Sequence, residues 1–267
     1  MDNPKISIIM GIYNCDRYLK QAIESIVAQT YTNWEIIMCD DCSSDNTYNI
    51  AERYVNKYPD KFTLIHNEVN QGLNVSLNNC LKYATGEYIA RMDGDDISDP
   101  KRLEKEISFL LKHREYAIVS CNMSYFDEKG IFGRSNSKTE PVKKDLPKQT
   151  PFCHAPCMVR KKAYDDVHGY STDRCFLRVE DYHLWIKMYE KGYKGYNLSD
   201  SLYYMRDDRD AIKRRTFKFR INEAYVKMLA VKKLKLPIYY FIYSFRPILV
   251  GLLPMSLYKK VHKARLA

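Results

Sequence analysis

The sequence predicts an α/β protein: a doubly wound, mostly parallel sheet flanked by helices, followed by a basic helical C-terminal region. Three observations predict it. Short apolar runs alternate with segments of helical periodicity, a pattern that builds parallel sheets from strand–helix–strand units. Each early apolar run ends in a cluster of polar residues, as expected where strands deliver ligand-binding groups to one edge of a sheet. From Asp207 onward, cations mix with long apolar stretches such as "LPIYYFIYSFRPILVGLLPMSLYKK".

The elements follow in order. "KISIIMGIYN" is a continuous apolar run of the kind buried on both faces, and Leu19, Ala22, Ile23 and Ile26 then repeat at helical spacing. "WEIIMCDD" is a second strand, followed by a helix carrying Ile50, Tyr54 and Tyr58. "FTLIHNE" is a third strand, "NVSLNNCLKYA" a third helix and "GEYIARMD" a fourth strand. In "DISDP", Asp99 is placed to cap a helix with Pro100 at its first position and Leu103, Ile107, Leu110 and Leu111 on its buried stripe. "AIVSCNMSYFDEKG" reads as a strand and hairpin, and "NSKTEPVKKDLPKQTP" as a polar, mobile connection. "VEDYHLWIKMYEKG" is helical, with Tyr182, Trp185, Ile186 and Tyr189 on one face.

The net charge of +10 points toward an anionic partner, namely nucleic acid, anionic lipid or a phosphate-bearing substrate. The cations cluster beside apolar sequence rather than among stacking aromatics, which argues against nucleic acid. No cationic leader precedes a long apolar run at the N-terminus, so no signal peptide is expected, and the eight cysteines read as reduced thiols of a cytoplasmic protein. The glycine-rich dinucleotide fingerprint and the Walker A loop are both missing, so a bound nucleotide has to be held by side chains and a metal.

The polar clusters are Tyr13 and Asn14 after the first strand, Asp40 and Asp41 after the second, Asn70 to Gly72 after the third, and Asp93 to Asp96 after the fourth. Asp93, Asp95 and Asp96 place three carboxylates within four positions. Their repulsion, about 4 kcal/mol per close pair near a protein surface, is relieved either by splaying the acids into solvent in a turn or by a cation, and their position at a strand end beside three other polar clusters favours the cation. Mg²⁺ or Mn²⁺ suits such hard oxygen ligands, taking one or two carboxylates and completing its shell with water and substrate phosphate. A zinc site at Cys39, Cys42, Cys153 and Cys157 is disfavoured, because Cys39 ends an apolar strand as a small core residue. Glu180 and Asp181 open a helix, where acids complement the dipole or supply a general base; the residues alone leave both readings open.

Taken together, "SIIMGIYNCDRYLKQAIESIVAQTYTNWEIIMCDDCSSDNT", "NEVNQGLNVSLNNCLKYATGEYIARMDGDD" and "VEDYHLWIKMYEKGYK" resemble the ordered motifs of the family 2 glycosyltransferases over roughly residues 5 to 205. The resemblance implies a GT-A, Rossmann-like fold and inverting transfer from a nucleotide-diphosphate sugar, a UDP-sugar above all. It places Tyr13, Asp41 and Asp93 at the base or ribose, with Asn14 and Gly72 in the same nucleotide-binding set. It puts Asp95 on the metal that bridges the diphosphate, Mn²⁺ or Mg²⁺, and makes Asp181 the catalytic base with Glu180 orienting the acceptor or supporting the site. His154 falls near donor or acceptor. Two departures stand out: Gly11 replaces the usual proline, and "YMRDDRDAIKRRT" matches only loosely the arginine segment that closes over the diphosphate, with Arg206 as the phosphate contact.

On this reading residues 1–205 form the catalytic domain, with a nucleotide half to about residue 100 and an acceptor half beyond it, and residues 206–267 form the basic, amphipathic helical region. Pro237, Pro247, Pro254 and Arg246 disfavour a straight bilayer span, so broken helices lying in the interface are expected, flanked by Lys232, Lys233, Lys235, Lys259, Lys260, Lys263 and Arg265. Packing on the catalytic domain, or into an oligomer, is the competing use of these residues. The expected partners are a nucleotide-sugar donor, a glycan acceptor linked to a polyprenyl diphosphate, and the inner face of the cell membrane in surface-polysaccharide synthesis. A non-catalytic nucleotide- or glycan-binding homologue, or another metal-dependent sugar-nucleotide enzyme, is the alternative.

Overall fold

The computed structural model describes residues 3–207 and 216–252. The first half follows the predicted alternation: β1 (Ile6–Ile12), α1 (Asp16–Val27), β2 (Trp34–Asp40), α2 (Thr47–Lys57), β3 (Phe62–His66), α3 (Leu73–Tyr83) and β4 (Tyr88–Arg91). The reason lies in two-sided burial. Along β1, Ile6, Ile8, Met10 and Ile12 enter the core beneath α1 and α2, while Ile9 enters the core beneath α3. Each such side chain contributes roughly 1.5–3 kcal/mol on leaving water, and a one-residue slip would exchange the two faces.

The second half comprises β5 (Ile97–Ser98), α4 (Arg102–Lys112), β6 (Ile118–Asp127), β7 (Gly130–Arg134), β8 (Met158–Arg160), α5 (Lys161–Asp166), α6 (Glu180–Glu190), β9 (Gly195–Arg206), α7 (Phe217–Lys233) and α8 (Ile242–Gly251). Among the described residues all strands join one sheet in the order β3-β2-β1-β4-β8-β6-β9-β5, with β7 paired to β6. The expected parallel sheet holds for β3, β2, β1 and β4. Beyond β4 the sheet is mixed: β8 is antiparallel to β4 and β6, β5 is antiparallel to β9, and β6 and β9 are parallel. β8 and β5 are too short to show a sequence period, which is why the mixed half was not legible.

Two further expectations are corrected. α4 begins at Arg102, not Pro100. Asp99 precedes it in a turn, accepting the Lys101 N–H through Oδ1 at 2.9 Å and the Arg102 N–H through its carbonyl at 3.0 Å. The 136–151 connection is fastened rather than mobile. Leu146 is fully buried, Tyr182 and Tyr189 donate hydroxyls to the carbonyls of Leu146 and Pro141, and Asn197 donates to the Lys138 and Pro151 carbonyls.

Of the C-terminal region, α7 packs back onto α6, and its buried Lys227 donates to the carbonyls of Pro147 and Lys148 at 3.1 and 2.7 Å. No helix of the described residues is long and apolar enough to cross a membrane. Pro254 and the cations Lys259, Lys260, Lys263 and Arg265 lie outside the described residues.

Gly195 shows how tightly β9 seats: a Cβ there would fall 2.2 Å from Phe152 Cζ and 3.0 Å from Ile118 Cβ. Phe152 is buried and packs edge-on to Trp185. Gly195→Ala is expected to cost about 1–3 kcal/mol by overpacking, read as a lower urea midpoint with unchanged m-value.

Candidate active site

The ends of β1, β2, β3 and β4 converge because the parallel register aligns Ile12 with Asp40 and Asp40 with His66, while Met92 N–H bonds the Ile9 carbonyl. Three loops are tied together on this edge. Asn14, in the left-handed region at φ 46°, accepts the Ser44 N–H at 2.9 Å and donates its own N–H to Ser43 Oγ at 3.1 Å. Asp41 is buried and accepts Asn67 Nδ2 and the N–H groups of Gln71 and Gly72 at 2.8, 2.9 and 2.7 Å. Those three bonds use three of its roughly four lone-pair positions. Gly72, at φ 89°, turns the chain into α3, and its carbonyl accepts the Val75 and Ser76 N–H groups. Tyr13 stands half exposed on the rim.

The replacement at Gly11 has a local reason. A Cβ there would lie 2.7 Å from Leu73 Cδ1, so α3 sits close against β1. Gly94 serves similarly between the acids, since a Cβ would meet Cys15 Sγ at 2.9 Å and Ile12 Cγ2 at 3.2 Å. The acidic turn therefore rests on the β1–α1 turn.

The three acids of that turn occupy different environments. Asp93 pairs with Arg91 at 2.8 Å, and its N–H donates to Tyr203 Oη at 3.1 Å. Asp96 is buried and accepts the Arg206 N–H at 2.7 Å; burial, then Asp93 and Asp95, push its carboxyl up. Asp95 is exposed at the mouth of the turn, and its carbonyl accepts Arg206 Nε–H at 3.0 Å. Arg206 itself lies between the rings of Tyr18 and Phe126, 4.0 and 4.5 Å from their centroids, and donates to Gln21 at 2.9 Å. Here it fastens the end of β9 to the acidic turn.

Glu180 and Asp181 form the first turn of α6. Burial raises the Asp181 carboxyl; the Tyr182 N–H and Arg91 pull it down, and Asp93 pushes it up. The N-terminus of α6 thus faces the end of β4 across Arg91. Burial and Asp181 also raise Glu180, whose Oε2 is buried with no hydrogen-bond partner. His154 packs edge-on to Tyr170 and Trp185, with Nε2 3.3 Å from Tyr170 Oη.

Sequence reasoning missed Arg91 and Tyr203. Arg91 did leave a signal: a cation inside the apolar run "YIARMD" is buried only with an acid to pair it. Tyr203 left none, because it reaches the turn from β9 across the mixed part of the sheet.

A hard divalent cation fits this geometry. Asp95 is exposed at a strand end, and Asp93 and Asp96 lie beside it, paired with Arg91 and hydrogen-bonded by the Arg206 N–H. Among the described residues no group of three His, Cys, Asp or Glu forms a closed cage. An open carboxylate position completed by water and phosphate is how such ions are held beside a diphosphate.

The model of glycosyl transferase family 2 matches residues 7–168, and that of glycosyl transferase family group 2 matches residues 88–258. The chain belongs to glycosyl transferase family 2. It is 47% identical over 262 residues to EpsE of Bacillus subtilis, covering 98% of this chain and 94% of that one. It is 33% identical over 190 residues to the Escherichia coli UDP-Glc:alpha-D-GlcNAc-diphosphoundecaprenol beta-1,3-glucosyltransferase WfgD, covering 70% and 71%. The fold is similar to that of Staphylococcus aureus TarS, crystallised with UDP, at TM-score 0.69 and 20% identity over 96% of this chain and 78% of that one. It is also similar to that of the mannosyltransferase PcManGT of Pyrobaculum calidifontis in complex with GDP-Man and Mn²⁺, at TM-score 0.64 and 18% identity over 98% and 80%. The GT-A fold expected from the motifs is the fold found, and the family 2 glycosyltransferase is an enzyme of sugar transfer.

Arg91→Met leaves the acids of β4 and α6 without their buried counter-charge and is expected to cost about 3–5 kcal/mol at neutral pH. Asp181, already raised by burial, rises further without Arg91, so the folded variant holds its proton more tightly than the unfolded chain. The penalty therefore shrinks on acidification through the carboxylate range. Urea unfolding at a series of pH values measures it.

Proposed function

We propose that this glycosyltransferase moves a sugar from a UDP-sugar to a hydroxyl of a diphosphate-lipid-linked glycan, with inversion, in surface-polysaccharide synthesis. The observation that carries the reading is the placement of Asp181, at the start of α6, opposite the Arg91–Asp93 pair at the end of β4. A carboxylate raised by burial is a stronger base than a solvated one, and Arg91 favours its ionised form. The UDP of the TarS complex and the diphosphoundecaprenol acceptor in the name of WfgD support the donor and acceptor classes. A lipid-linked acceptor would bring the enzyme to the cytoplasmic face of the membrane.

In this mechanism Asp181 accepts the proton of the acceptor hydroxyl. The hydroxyl oxygen forms its bond to the anomeric carbon on one face, while the bond to the diphosphate breaks on the other and its electron pair leaves on phosphate oxygen. Glu180 orients the acceptor. Tyr13 stacks at the rim, Asn14 and Gly72 shape the nucleotide loops, and Asp41 offers its remaining lone pair to base or ribose. Asp93 lies toward the ribose and His154 toward the sugar. Arg206 holds the acidic turn and is in reach of the diphosphate if it leaves its aromatic slot. Mg²⁺ or Mn²⁺, held by Asp95, would supply positive charge to the departing diphosphate.

The test is nucleoside diphosphate release from a panel of nucleotide sugars in the presence of a lipid-diphosphate glycan. Asp181→Asn is expected to lower turnover by about 10²–10⁴-fold with donor KM little changed, whereas Asp95→Ala should abolish the metal requirement together with most activity. Turnover undiminished in Asp181→Asn would refute the assignment of the base, and nucleotide binding without release in wild type would favour a binding homologue. Because Asp181 is raised, activity falls with pH at a point above the ordinary carboxylate range. In Arg91→Lys, which retains the charge in a weaker geometry, that limb should move toward higher pH.

A further inference from the structure

The C-terminal helices carry apolar surface that the core does not use. On α7, Phe217, Ile221, Tyr225 and Met228 are 41–50% exposed and recur at intervals of four, four and three, which places them on one stripe. The opposite face of α7 is buried through Val226 and Ala230, and Ala224 and Val231 are buried beside the stripe. Past the turn at Pro237, Ile238, Ile242, Phe245, Leu249 and Leu252 form a second stripe, exposed by 62–82%. The side of α8 away from its stripe returns to the start of α7, where a Cβ on Gly251 would lie 3.1 Å from the Phe217 ring. Together they exceed the scattered apolar residues normal on a soluble surface.

The charges beside these stripes are mostly cationic, with Lys233 paired to Glu190 of α6 at 3.2 Å. Between Thr216 and Leu252 the exposed ionised side chains are Lys218, Lys232, Lys233, Lys235 and Arg246. The single acid of that segment, Glu223, is half-buried and paired with Arg220 at 3.4 Å. A second copy of this chain would set these cations against one another across a two-fold contact, whereas anionic headgroups would complement them. Short helices with apolar faces and cationic flanks lie in a bilayer interface rather than across it, and no described helix is built to span.

The location of the patch connects it to the site. The loop that delivers Glu180 and Asp181 is packed against α7: Asn222 Nδ2 donates to the Leu177 carbonyl at 3.1 Å, the rings of Phe176 and Tyr225 are 5.9 Å apart, and Arg178 lies 5.9 Å from the Phe219 centroid. On that loop Leu177, Arg174 and Arg178 are exposed, and Arg178 is held at φ 67°. A surface lying on the α7 stripe would therefore lie beside the loop that leads into Glu180 and Asp181.

We infer that the exposed apolar stripes of α7 and α8 dock this enzyme on an anionic bilayer, and that α7 thereby turns the Arg174–Arg178 loop and the acceptor side of the site toward the headgroups. The inference deepens the proposed use of a lipid-linked acceptor and rests on that reading for its purpose. The docking itself requires neither donor nor acceptor.

Flotation of the full chain with phosphatidylcholine vesicles, with and without phosphatidylglycerol, tests it. Wild type is expected to float with the anionic vesicles, and at least tenfold less with neutral ones or in high salt. Ile221→Glu/Met228→Glu and Phe245→Glu/Leu249→Glu each change only exposed positions and should lose at least tenfold in partitioning. Both should keep the wild-type circular dichroism and the wild-type nucleoside diphosphate release on a water-soluble acceptor. Wild type remaining with buffer, or either double variant floating as wild type does, overturns the inference. It is equally overturned if the four cations Lys259, Lys260, Lys263 and Arg265, changed to Gln, account for all binding while the stripes account for none. Sedimentation showing a dimer that Ile221→Glu/Met228→Glu dissociates would assign the face to a second copy instead. Failure of sugar transfer with flotation intact would count against the proposed reaction and not against the docking face.

Discussion

The site depends on a buried cation. Arg91 ends β4 with its guanidinium almost wholly removed from water, paired with Asp93 and facing Asp181. An isolated charge in that position would be expensive, and each carboxylate around it would be expensive without it. The arrangement holds because the acids come from two separate elements, the turn after β4 and the first turn of α6. The same interaction thus joins the turn after β4 to the first turn of α6. Tyr203 adds a third element by accepting the Asp93 N–H from β9.

Around this centre, the loops at the ends of β1 to β3 are held by side chains rather than by regular structure. Asp41 gathers the backbone N–H groups of Gln71 and Gly72, and Asn14 bridges the first two loops through Ser43 and Ser44. Glycines at 11 and 94 let α3 and the acidic turn approach β1 more closely than a side chain permits. Arg206 is used in the same way: its stacked guanidinium and its backbone N–H fasten β9 to Asp95 and Asp96. Preorganisation of this kind limits the motion of the acids before a donor arrives, which is where electrostatic catalysis gains most.

The C-terminal region belongs to both structure and surface. Lys227 is buried and capped by two carbonyls of the 136–151 connection, so α7 stabilises a segment whose composition alone suggests mobility. The same helix keeps an apolar stripe outside. One amphipathic pattern cannot indicate which of two faces meets protein when both are apolar; that decision requires the partner face on α6.

Much was legible in sequence for physical reasons. Two-sided burial writes itself as unbroken apolar runs, so β1 to β4 and their helices could be read in place, and the ordered motifs at the strand ends marked the family. The tertiary structure alone decided what depends on contacts between distant segments. It made half of the sheet mixed through strands two and three residues long, tied down the 136–151 connection, moved the start of α4 past Asp99, and divided three adjacent carboxylates into one paired with arginine, one buried under a backbone N–H and one open to the outside. Sequence spacing records how far apart residues are along the chain, but dielectric environment and counter-charge are set by what arrives from elsewhere in the fold.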